Sequence, residues 1–512
     1  MSKSNILKLA LFATGLSGIV AEYVLSTLAT YFLGDSVFQW TMIVSMMLFS
    51  MGLGSRISRY ISGDLLKKFI YIEFILSLLV AFVSIITYLS SAYYGDNTII
   101  IYGLSILVGL LIGMEIPLVM RLNDEHEELK INVSSVMEKD YYGSLLGGIF
   151  FAFIGLPYLG LTYTPFILGS INFLVACLLV YILWKFIDQK LQKRLLILIT
   201  GVALIIGVGA FTAKGIIDFG EELRYKDRVV FSEQTKYQRI VITQSKEAYW
   251  LFINGNQQLS SIDEVMYHEP LVHPVMGLLK NPKHILVMGG GDGGAVREIL
   301  KYPSVEKITL VDLDPRMTEL GQTQDWLVSM NQNALNHKKV EIINADGFTW
   351  LENNQDYFDA VIIDLPDPKT VELGRLYSYE FYQLCYNHLR PHGVITTQAG
   401  SPYYAARAFN CIDQTMTEAG FITAPLHNQV VTLGEWGWVM GVKESDKAEL
   451  KTTLQSLDFQ GIQTEWMNKE SMTLITSFGK RVFPDDDRPV ETNRIHNPVL
   501  YKYYLKGKWD LY

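Results

Sequence analysis

Residues 283–315, KHILVMGGGDGGAVREILKYPSVEKITLVDLDP, constrain the fold of this chain more than any other stretch. They contain an apolar strand, a glycine-rich turn, a helix-like run and a second apolar strand that ends at Asp312. Glycine lets the backbone turn sharply and lie close against a ligand. Asp312 follows Gly289 by 23 residues, about where dinucleotide-binding folds place the acid that bonds to ribose hydroxyls. A tight turn without a ligand is the alternative, but the strands, the turn and the acid together favour a nucleoside site.

An acidic residue, Asp292, lies inside the glycine run. A carboxylate at this place would repel the pyrophosphate of a dinucleotide and would attract a cationic ligand. A nucleoside that carries a sulfonium and an amine fits this charge. The turn therefore favours S-adenosylmethionine or its decarboxylated form over NAD.

Length, charge and cysteine content narrow the class of protein. A chain of 512 residues is too long for a single domain. The formal net charge of −9 argues against a nucleic-acid-binding surface. Three cysteines, Cys177, Cys385 and Cys411, have neither the spacing of a zinc site nor that of a disulfide framework.

Seven apolar runs occupy the first 213 residues, at about 6–33, 37–54, 69–90, 98–120, 143–161, 164–186 and 195–213. Most of them are long enough to cross a bilayer core, which takes about 20 residues. We therefore predict a polytopic α-helical membrane domain over residues 1–213, and a multi-pass protein of the cell membrane. Basic residues are concentrated after the second, fourth and sixth runs, so the positive-inside rule places these loops and the N-terminus in the cytoplasm.

Three glutamates fall within these runs. Glu73 lies near the end of its run and is interpreted as interfacial. Glu22 and Glu115 lie deeper, where a charge is costly and usually functional. Pro117 frees a backbone carbonyl beside Glu115. Either the two deeper glutamates belong to a polar cluster that locks helices together, or they bind an amine cation.

The remaining sequence predicts two further segments. Residues 214–260 are assigned to a charged linker, 214–227, and a small β-strand subdomain in which Asn254-Gly255 marks a tight turn. Residues 261–512 are assigned to a doubly wound, Rossmann-like α/β domain of the methyltransferase type, because strands alternate with helices. The site of such a sheet lies at the carboxyl ends of its strands. Four acids follow these strands, namely Asp292, Asp312, Asp346 and Asp364.

Several motifs resemble those of the spermidine synthase family, the polyamine aminopropyltransferases. They are GGGDGGAVREILK, VDLDP, NADGF and IIDLPDP, preceded by TKYQRIVI and FINGNQQLSSIDEVMYHEPLVHP. The seven apolar runs resemble the membrane-fused bacterial branch of that family. The resemblance implies transfer of an aminopropyl group from decarboxylated S-adenosylmethionine to putrescine or a related amine, with release of methylthioadenosine. The donor is a co-substrate, so no cofactor is implied, and the resemblance also implies a homodimer.

The resemblance further implies a role for each matching residue. The donor would be bound by Gln238, His268, Gly289, Gly291, Asp292, Asp312, Asp346 and Gly347. Of these, Asp292 would hold the aminopropyl amine, Asp312 the ribose, and Asp346 with Gly347 the adenine. The acceptor amine would be bound by Tyr267, Asp364 and Asp367, with Asp364 also the catalytic proton acceptor. No metal is implied.

Elementary chemistry agrees with these roles. An amine with a pKa near that of lysine, about 10.4, is protonated at neutral pH and cannot attack before it loses a proton. Asp364 at a strand end can accept that proton, while Asp367 holds the cation. The sulfonium is already an activated leaving group, so positioning and desolvation should supply most of the remaining rate.

Two departures from the family pattern leave the acceptor open. The family often has a Gly-Pro-Ala-like turn after Asp367-Pro368, whereas this chain has Lys369-Thr370-Val371-Glu372. The family also often has Tyr-Pro ahead of the late Trp-Gly segment, whereas this chain has Val431-Thr432.

Two other functions and the membrane side also stay open. A methyltransferase that uses S-adenosylmethionine is disfavoured by Asp292, and a polyamine transporter or sensor has only Glu22 and Glu115 in its support. Seven spans with a cytoplasmic N-terminus place the C-terminal domain outside, which the basic loops favour. A cytoplasmic donor would require six spans, as if the run 195–213 did not cross. A re-entrant hairpin in the first run would still leave the domain outside.

Overall fold

The chain divides into two units, Met1–Val229 and Val230–Tyr512, in a computed structural model of the protein. The structure describes residues 3–34, 36–94, 97–123, 128–184, 188–225, 227–479 and 489–509.

The N-terminal unit is a bundle of long apolar helices. They are α1 (Lys3–Leu33), α2 (Ser36–Ser58), α3 (Leu65–Tyr94), α4 (Thr98–Asn123), α5 (Leu129–Phe150), α6 (Gly160–Leu183) and α7 (Gln189–Tyr225), with a π-helical segment, Phe151–Leu159, between α5 and α6. Six helical stretches of the described residues are long and apolar enough to cross a membrane. The fifth stretch, Lys130–Ile182, is 53 residues long and includes α5 and α6, so this count does not reproduce the seven predicted spans.

The first part of the 53-residue stretch runs parallel to α1. A Cβ atom placed on Gly143 would lie 2.1 Å from the carbonyl oxygen of Phe12. One placed on Gly147, a turn later, would lie 2.5 Å from the carbonyl oxygen of Leu16. The contacts advance along both helices in the same direction, and glycine at these positions lets the two backbones approach closely.

The second part of the stretch runs the other way. Ala10 in the first half of α1 shares a hydrophobic cluster with Leu179 near the end of α6. Val24 in the second half of α1 shares a different cluster with Leu161 at the start of α6. The chain therefore reverses between α5 and α6, and Gly160, with a φ of +62°, lies at the reversal. Glycine adopts positive φ values at little cost.

The predicted linker was wrong, because α7 continues through it to Tyr225. The alternative of a re-entrant hairpin in the first run is not observed, since α1 is one continuous helix. The last turns of α7 are held by packing: Ile217 is 2% exposed, and the hydroxyls of Tyr225 and Tyr31 lie 3.1 Å apart. Tertiary contacts of this kind outweigh the charged composition of the segment.

The buried glutamates of the bundle differ from one another. Glu73, predicted to be interfacial, is 0% exposed, and neither of its carboxylate oxygens has a hydrogen-bond partner among the described residues. Its helix packs against four others, α1, α4, α6 and α7, which explains why a position near a helix start is buried. Glu115 accepts a hydrogen bond of 2.5 Å from Thr14, and so links α4 to α1. This bond supports the helix-locking interpretation of Glu115.

The C-terminal unit contains a small four-stranded sheet in the order β1-β2-β3-β4. Its strands are β1 (Arg228–Gln234), β2 (Arg239–Ser245), β3 (Ala248–Ile253) and β4 (Asn256–Ser260). The predicted tight turn between β3 and β4 is confirmed, with φ values of +50° at Asn254 and +78° at Gly255. Two positive φ values in succession are typical of the two-residue hairpin turn.

A seven-stranded sheet forms the rest of the unit in the order β10-β11-β9-β8-β5-β6-β7. Its strands are β5 (His284–Gly289), β6 (Lys307–Asp312), β7 (Val340–Asn344), β8 (Phe358–Asp364), β9 (Leu389–Gly400), β10 (Ile422–Val430) and β11 (Gly434–Val442). Strands β5 to β9 pair in parallel, and β10 and β11 complete the sheet as antiparallel strands. The predicted Rossmann-like sheet is confirmed, and the carboxyl ends of β5, β6 and β8 lie side by side.

Helices cover this sheet. They are α8 (Val265–Leu278), α9 (Gly294–Leu300), α10 (Pro315–Thr323), α11 (Asp325–Met330), α12 (Gly347–Asn353), α13 (Val371–Gly374), α14 (Tyr379–His388), α15 (Ala406–Glu418), α16 (Lys447–Ser456), α17 (Lys469–Ile475) and α18 (Leu500–Leu505). The strand residues Ile285 to Met288 and Ala360 to Ile363 are at most 1% exposed. Both faces of the central strands are buried, as the continuous apolar runs of a parallel sheet require.

Candidate active site

All eleven residues predicted to bind or react line one cleft at the carboxyl ends of the parallel strands. They are Gln238, Tyr267, His268, Gly289, Gly291, Asp292, Asp312, Asp346, Gly347, Asp364 and Asp367. Their sequence positions span more than 100 residues, and the sheet brings them together because β5, β6 and β8 end at the same edge. The structure therefore confirms their common location, while their individual roles stay predictions.

The glycine turn at the end of β5 packs closely against two acids, Asp364 and Asp312. Gly289 has a φ of +77°, and a Cβ atom on it would lie 2.1 Å from the carbonyl oxygen of Asp364. A Cβ atom on Gly291 would lie 2.8 Å from a carboxylate oxygen of Asp312. Larger residues at these two places would push the strands apart, so the glycines permit the close packing of acids around the turn.

Asp364 ends β8 and lines the cleft. Its Oδ1 accepts a hydrogen bond of 2.7 Å from the hydroxyl of Tyr267. Its Oδ2 is buried, has no hydrogen-bond partner among the residues that the structure describes, and lies 3.9 Å from Nε2 of His268. Burial, and then the negative charge of Asp292, raise the pKa of Asp364 to about 6, against the opposing effects of His268 and Tyr267. A buried carboxylate with a raised pKa and a free oxygen is suited to accept a proton.

His268 lies between carboxylates and is 1% exposed. Its Nδ1 is 2.7 Å from Oε2 of Glu264, and its Nε2 is 3.5 Å from Oδ1 of Asp292. Burial alone would lower the pKa of His268, but the hydrogen bond to Glu264 and the charges of Asp292, Glu264 and Asp364 raise it to about 9. The imidazole is therefore cationic at neutral pH, and it partly offsets the two acids of the cleft.

A buried ionic network behind the cleft holds His268 in place. Arg297 donates to both carboxylate oxygens of Glu264, at 2.6 and 2.9 Å, and to Glu298 at 2.7 Å. Glu298 also bonds to His273 at 2.8 Å. Sequence reasoning missed this network, although the spacing of four residues between Glu264 and His268 on a helix was a usable signal.

The two other donor-side acids have different surroundings. Asp312 ends β6 and accepts a hydrogen bond of 2.9 Å from the backbone of Asp314, while burial raises the pKa of Asp312 to about 6. Asp346 caps α12 through the backbone of Thr349 and forms an ion pair of 2.5 Å with Arg375. Burial would raise the pKa of Asp346, but these two partners lower it. Asp346 is thus occupied by Arg375 at the edge of the cleft.

Asp367 lines the cleft and lies beside Lys369. Oδ2 of Asp367 accepts a hydrogen bond of 2.6 Å from Tyr504 and lies 3.8 Å from the ammonium nitrogen of Lys369. Lys369 donates a hydrogen bond of 2.6 Å to Asn256 in β4. Sequence reasoning singled out Lys369 as a departure but had no signal for Tyr504, which follows it by more than 100 residues.

The segment Val431-Thr432, the second departure from the family pattern, is held by hydrogen bonds of Thr432. Thr432 bonds to both carboxylate oxygens of Asp263, at 2.6 and 2.9 Å, and accepts from Gln257 at 2.8 Å. Gln257 lines the cleft together with other residues that sequence reasoning missed, namely Gln258, Gln398, Leu433 and Trp436. Trp436 has a buried indole N–H for which the described residues provide no hydrogen-bond acceptor.

A metal would compete poorly with an organic cation here. Ligand atoms of His268, Asp292 and Asp364 lie within 4.8 Å of one another, which is close enough to share an ion. A histidine must be neutral to bind a metal, whereas the surroundings of His268 raise its pKa to about 9. The arrangement of charges therefore favours an amine or a sulfonium as the cation of the cleft.

Similarity to known proteins extends over both units. Residues 264–453 match the family model of the spermine/spermidine synthase domain. The polyamine aminopropyltransferase 2 of Aquifex aeolicus is 41% identical over 510 residues, which are 99% of each chain. The polyamine aminopropyltransferase of Leptospira interrogans is 38% identical over 499 residues, 96% of each chain. A crystal structure of spermidine synthase in complex with the transition state analogue AdoDATO is 29% identical, with a TM-score of 0.46 over 50% of this chain and 87% of that chain.

Proposed function

The chain belongs to the polyamine aminopropyltransferase family, and we propose that it transfers an aminopropyl group from decarboxylated S-adenosylmethionine to putrescine or a related amine. One observation carries the assignment to this site. Asp364 lines the cleft, and its Oδ2 is buried, has no hydrogen-bond partner in the described part of the chain, and lies 3.9 Å from the cationic His268. A proton acceptor is what an ammonium substrate needs before it can attack.

The reaction transfers one aminopropyl group from sulfur to nitrogen and one proton from the acceptor nitrogen to Asp364. The acceptor ammonium gives a proton to Asp364, and the freed nitrogen attacks the aminopropyl carbon next to the sulfonium. The new N–C bond forms as the C–S bond breaks, and the electron pair of the C–S bond goes to sulfur. The positive charge passes from sulfur to the nitrogen of the product. Methylthioadenosine leaves as a neutral thioether, so no oxidant, metal or cofactor is required. Asp364 then releases the proton to solvent.

The donor is assigned to the side of the cleft formed by the glycine turn. Asp292 accepts from the backbone of Gly294 at 2.7 Å through Oδ1, which leaves Oδ2 for the aminopropyl amine. Asp312 accepts from the ribose hydroxyls, since a carboxylate at the end of β6 is the usual partner of that group. Gln238, His268, Asp346 and Gly347 complete the donor site around the nucleoside. These roles agree with the cleft but stand as proposals for each residue.

A methyltransferase would use the same fold with the intact donor. The carboxylate of intact S-adenosylmethionine would have to lie near Asp292, and repulsion between the two negative charges disfavours that arrangement. Isothermal titration with both donors tests the choice: decarboxylated S-adenosylmethionine should bind at least tenfold more tightly. Mass spectrometry of products from purified protein, this donor and a panel of amines should then show a mass gain of one aminopropyl group. A methylated product in its place would overturn the proposal.

We further propose that the N-terminal unit crosses the membrane seven times. The reversal at Gly160 supports this count, because it divides the 53-residue stretch into two antiparallel passes. The boundary at residue 260 and the homodimer stay predictions. They would be tested by limited proteolysis and by the mass of the detergent-solubilised particle.

A further inference from the structure

Lys369 places a cation beside the carboxylate assigned to the acceptor. Its ammonium nitrogen lies 3.8 Å from Oδ2 of Asp367 and donates a hydrogen bond of 2.6 Å to Oδ1 of Asn256. The same nitrogen lies 5.6 Å from the ring centre of Tyr504, whose hydroxyl donates to that oxygen of Asp367. Contacts from three separate parts of the chain therefore hold this lysine at the acceptor end.

The position of Lys369 leaves Asp367 available to a ligand but reduces the attraction of Asp367 for a cation. Asp367 lines the cleft, and its side chain is 12% exposed, whereas that of Lys369 is 31% exposed. The lysine is thus the more exposed of the two side chains. At this distance the positive charge of Lys369 partly offsets the attraction of the Asp367 carboxylate for another cation. A ligand ammonium that reaches Asp367 would meet a carboxylate whose attraction is already reduced.

We propose that Lys369 is a specificity-determining residue that weakens the binding of a second ammonium group at the far end of the acceptor. The inference rests on the proposed function, in which one acceptor amine reaches Asp364 and the far end reaches Asp367. A diamine gains less from its second charge than it would gain from an unpaired Asp367. An acceptor with a neutral far end loses nothing. The cleft therefore discriminates between the two classes of amine less than its acidic lining suggests.

The size of the effect follows from distance and exposure. A ligand ammonium in contact with Asp367 would lie within several ångströms of the Lys369 ammonium, and partial exposure screens the repulsion between them. We expect removal of the lysine charge to strengthen diamine binding about tenfold. The turnover number should change little, because Asp364 and the donor side do not contact Lys369 in the described hydrogen bonds and ion pairs.

Steady-state kinetics of the full-length protein in detergent can test this with a matched pair of amines. The pair is 1,4-diaminobutane and 1-aminobutane, which share the reacting end and differ only in the far charge. The KM of the diamine and the inhibition constant of the monoamine are measured for the wild type, Lys369→Met and Lys369→Arg. In Lys369→Met the diamine should bind about tenfold more tightly while the monoamine is unchanged. Lys369→Arg keeps the charge and should keep the wild-type ratio.

Three controls separate charge from structure. Lys307→Met removes a lysine from the start of β6, where it pairs with Glu341 on the surface, and should change neither constant. Asp367→Asn should act in the opposite direction and weaken only the diamine. The KM of the donor and the melting temperature show whether each variant is folded.

Each outcome bears on one of the two proposals. If Lys369→Met weakens the diamine, or shifts both amines equally, the lysine only fastens the loop to Asn256 and the specificity role is wrong. If no amine is aminopropylated by the wild type, the proposed function itself fails. An active wild type with an unaltered ratio in Lys369→Met would overturn the specificity role alone.

Discussion

Asp364 is the residue on which the chemistry of the cleft depends. Asp364→Asn keeps the shape of the side chain but removes the proton acceptor. We expect turnover to fall about 10²-fold or more, which is typical of the loss of a general base. Donor binding should be largely retained, because the acids assigned to the donor, Asp292 and Asp312, are unchanged. Single-turnover rates and donor titration measure the two quantities separately, and near-normal turnover would remove Asp364 from its assigned role.

The pH dependence of the reaction provides a second test of the role of Asp364. Burial and the charge of Asp292 raise the pKa of Asp364 to about 6, so the group is ionised above that pH and protonated below it. Since only the ionised form accepts a proton, kcat/KM should fall about tenfold for each pH unit below about 6.

The variant Asp292→Asn tests whether the charge of Asp292 raises the pKa of Asp364. It removes a negative charge that favours the protonated form of Asp364, so the pKa should decrease and the acid limb should move to lower pH. The pH profile of kcat/KM for the acceptor, measured at saturating donor, checks the shift. A limb that stays in place or moves to higher pH would contradict the coupling of the two acids.

At the scale of elements, the contact between α9 and α8 fixes His268. A Cβ atom on Gly294 would lie 2.3 to 2.5 Å from three atoms of the His268 ring, which is far below a van der Waals distance. The ring cannot move aside easily, because Glu264 holds it and Arg297 holds Glu264. Gly294→Ala should therefore displace the imidazole and lower kcat/KM about 10²-fold, as displacements of about 1 Å can do.

A matched glycine substitution serves as the control for that prediction. Gly374 has a φ of −57°, and a Cβ atom there would meet no atom within 4 Å. Gly374→Ala should leave both activity and melting temperature nearly unchanged. If the two variants were equally impaired, the loss in Gly294→Ala would reflect general destabilisation rather than displacement of His268.

Local patterns predicted the elements well, and long-range contacts escaped them. The glycine turn, the acids at the ends of β6 and β8 and the Asn254-Gly255 turn follow from spacing within a few residues. The pairing of Asp367 with Tyr504 joins residues 137 apart, and nothing in either segment indicates the other. Burial of Glu73 likewise depends on which helices surround α3. Local sequence patterns indicate local backbone geometry, whereas long-range side-chain contacts depend on the whole fold.

The bundle as a whole determines where its chain enters and leaves. Tyr31 near the end of α1 and Tyr225 at the end of α7 share a hydroxyl contact of 3.1 Å, so both helices end at the same end of the bundle. Residue 225 therefore lies at the end opposite to the start of α1. An odd number of crossings has this property and an even number does not. The contact supports the proposed odd number of crossings over the alternative of six, in which the last apolar run stays on one side.

The last prediction concerns the side of the membrane on which residues 230–512 function. The loops after the second, fourth and sixth apolar runs carry most of the short-loop basic residues, and the positive-inside rule assigns them and the N-terminus to the cytoplasm. With an odd number of crossings, the C-terminal unit would then lie outside. A reporter active only in the cytoplasm should be inactive when fused after Tyr512 and active when fused ahead of the N-terminus. Activity at both ends would show an even number of crossings. That result would give the enzyme direct access to a cytoplasmic donor and would contradict the contact between Tyr31 and Tyr225.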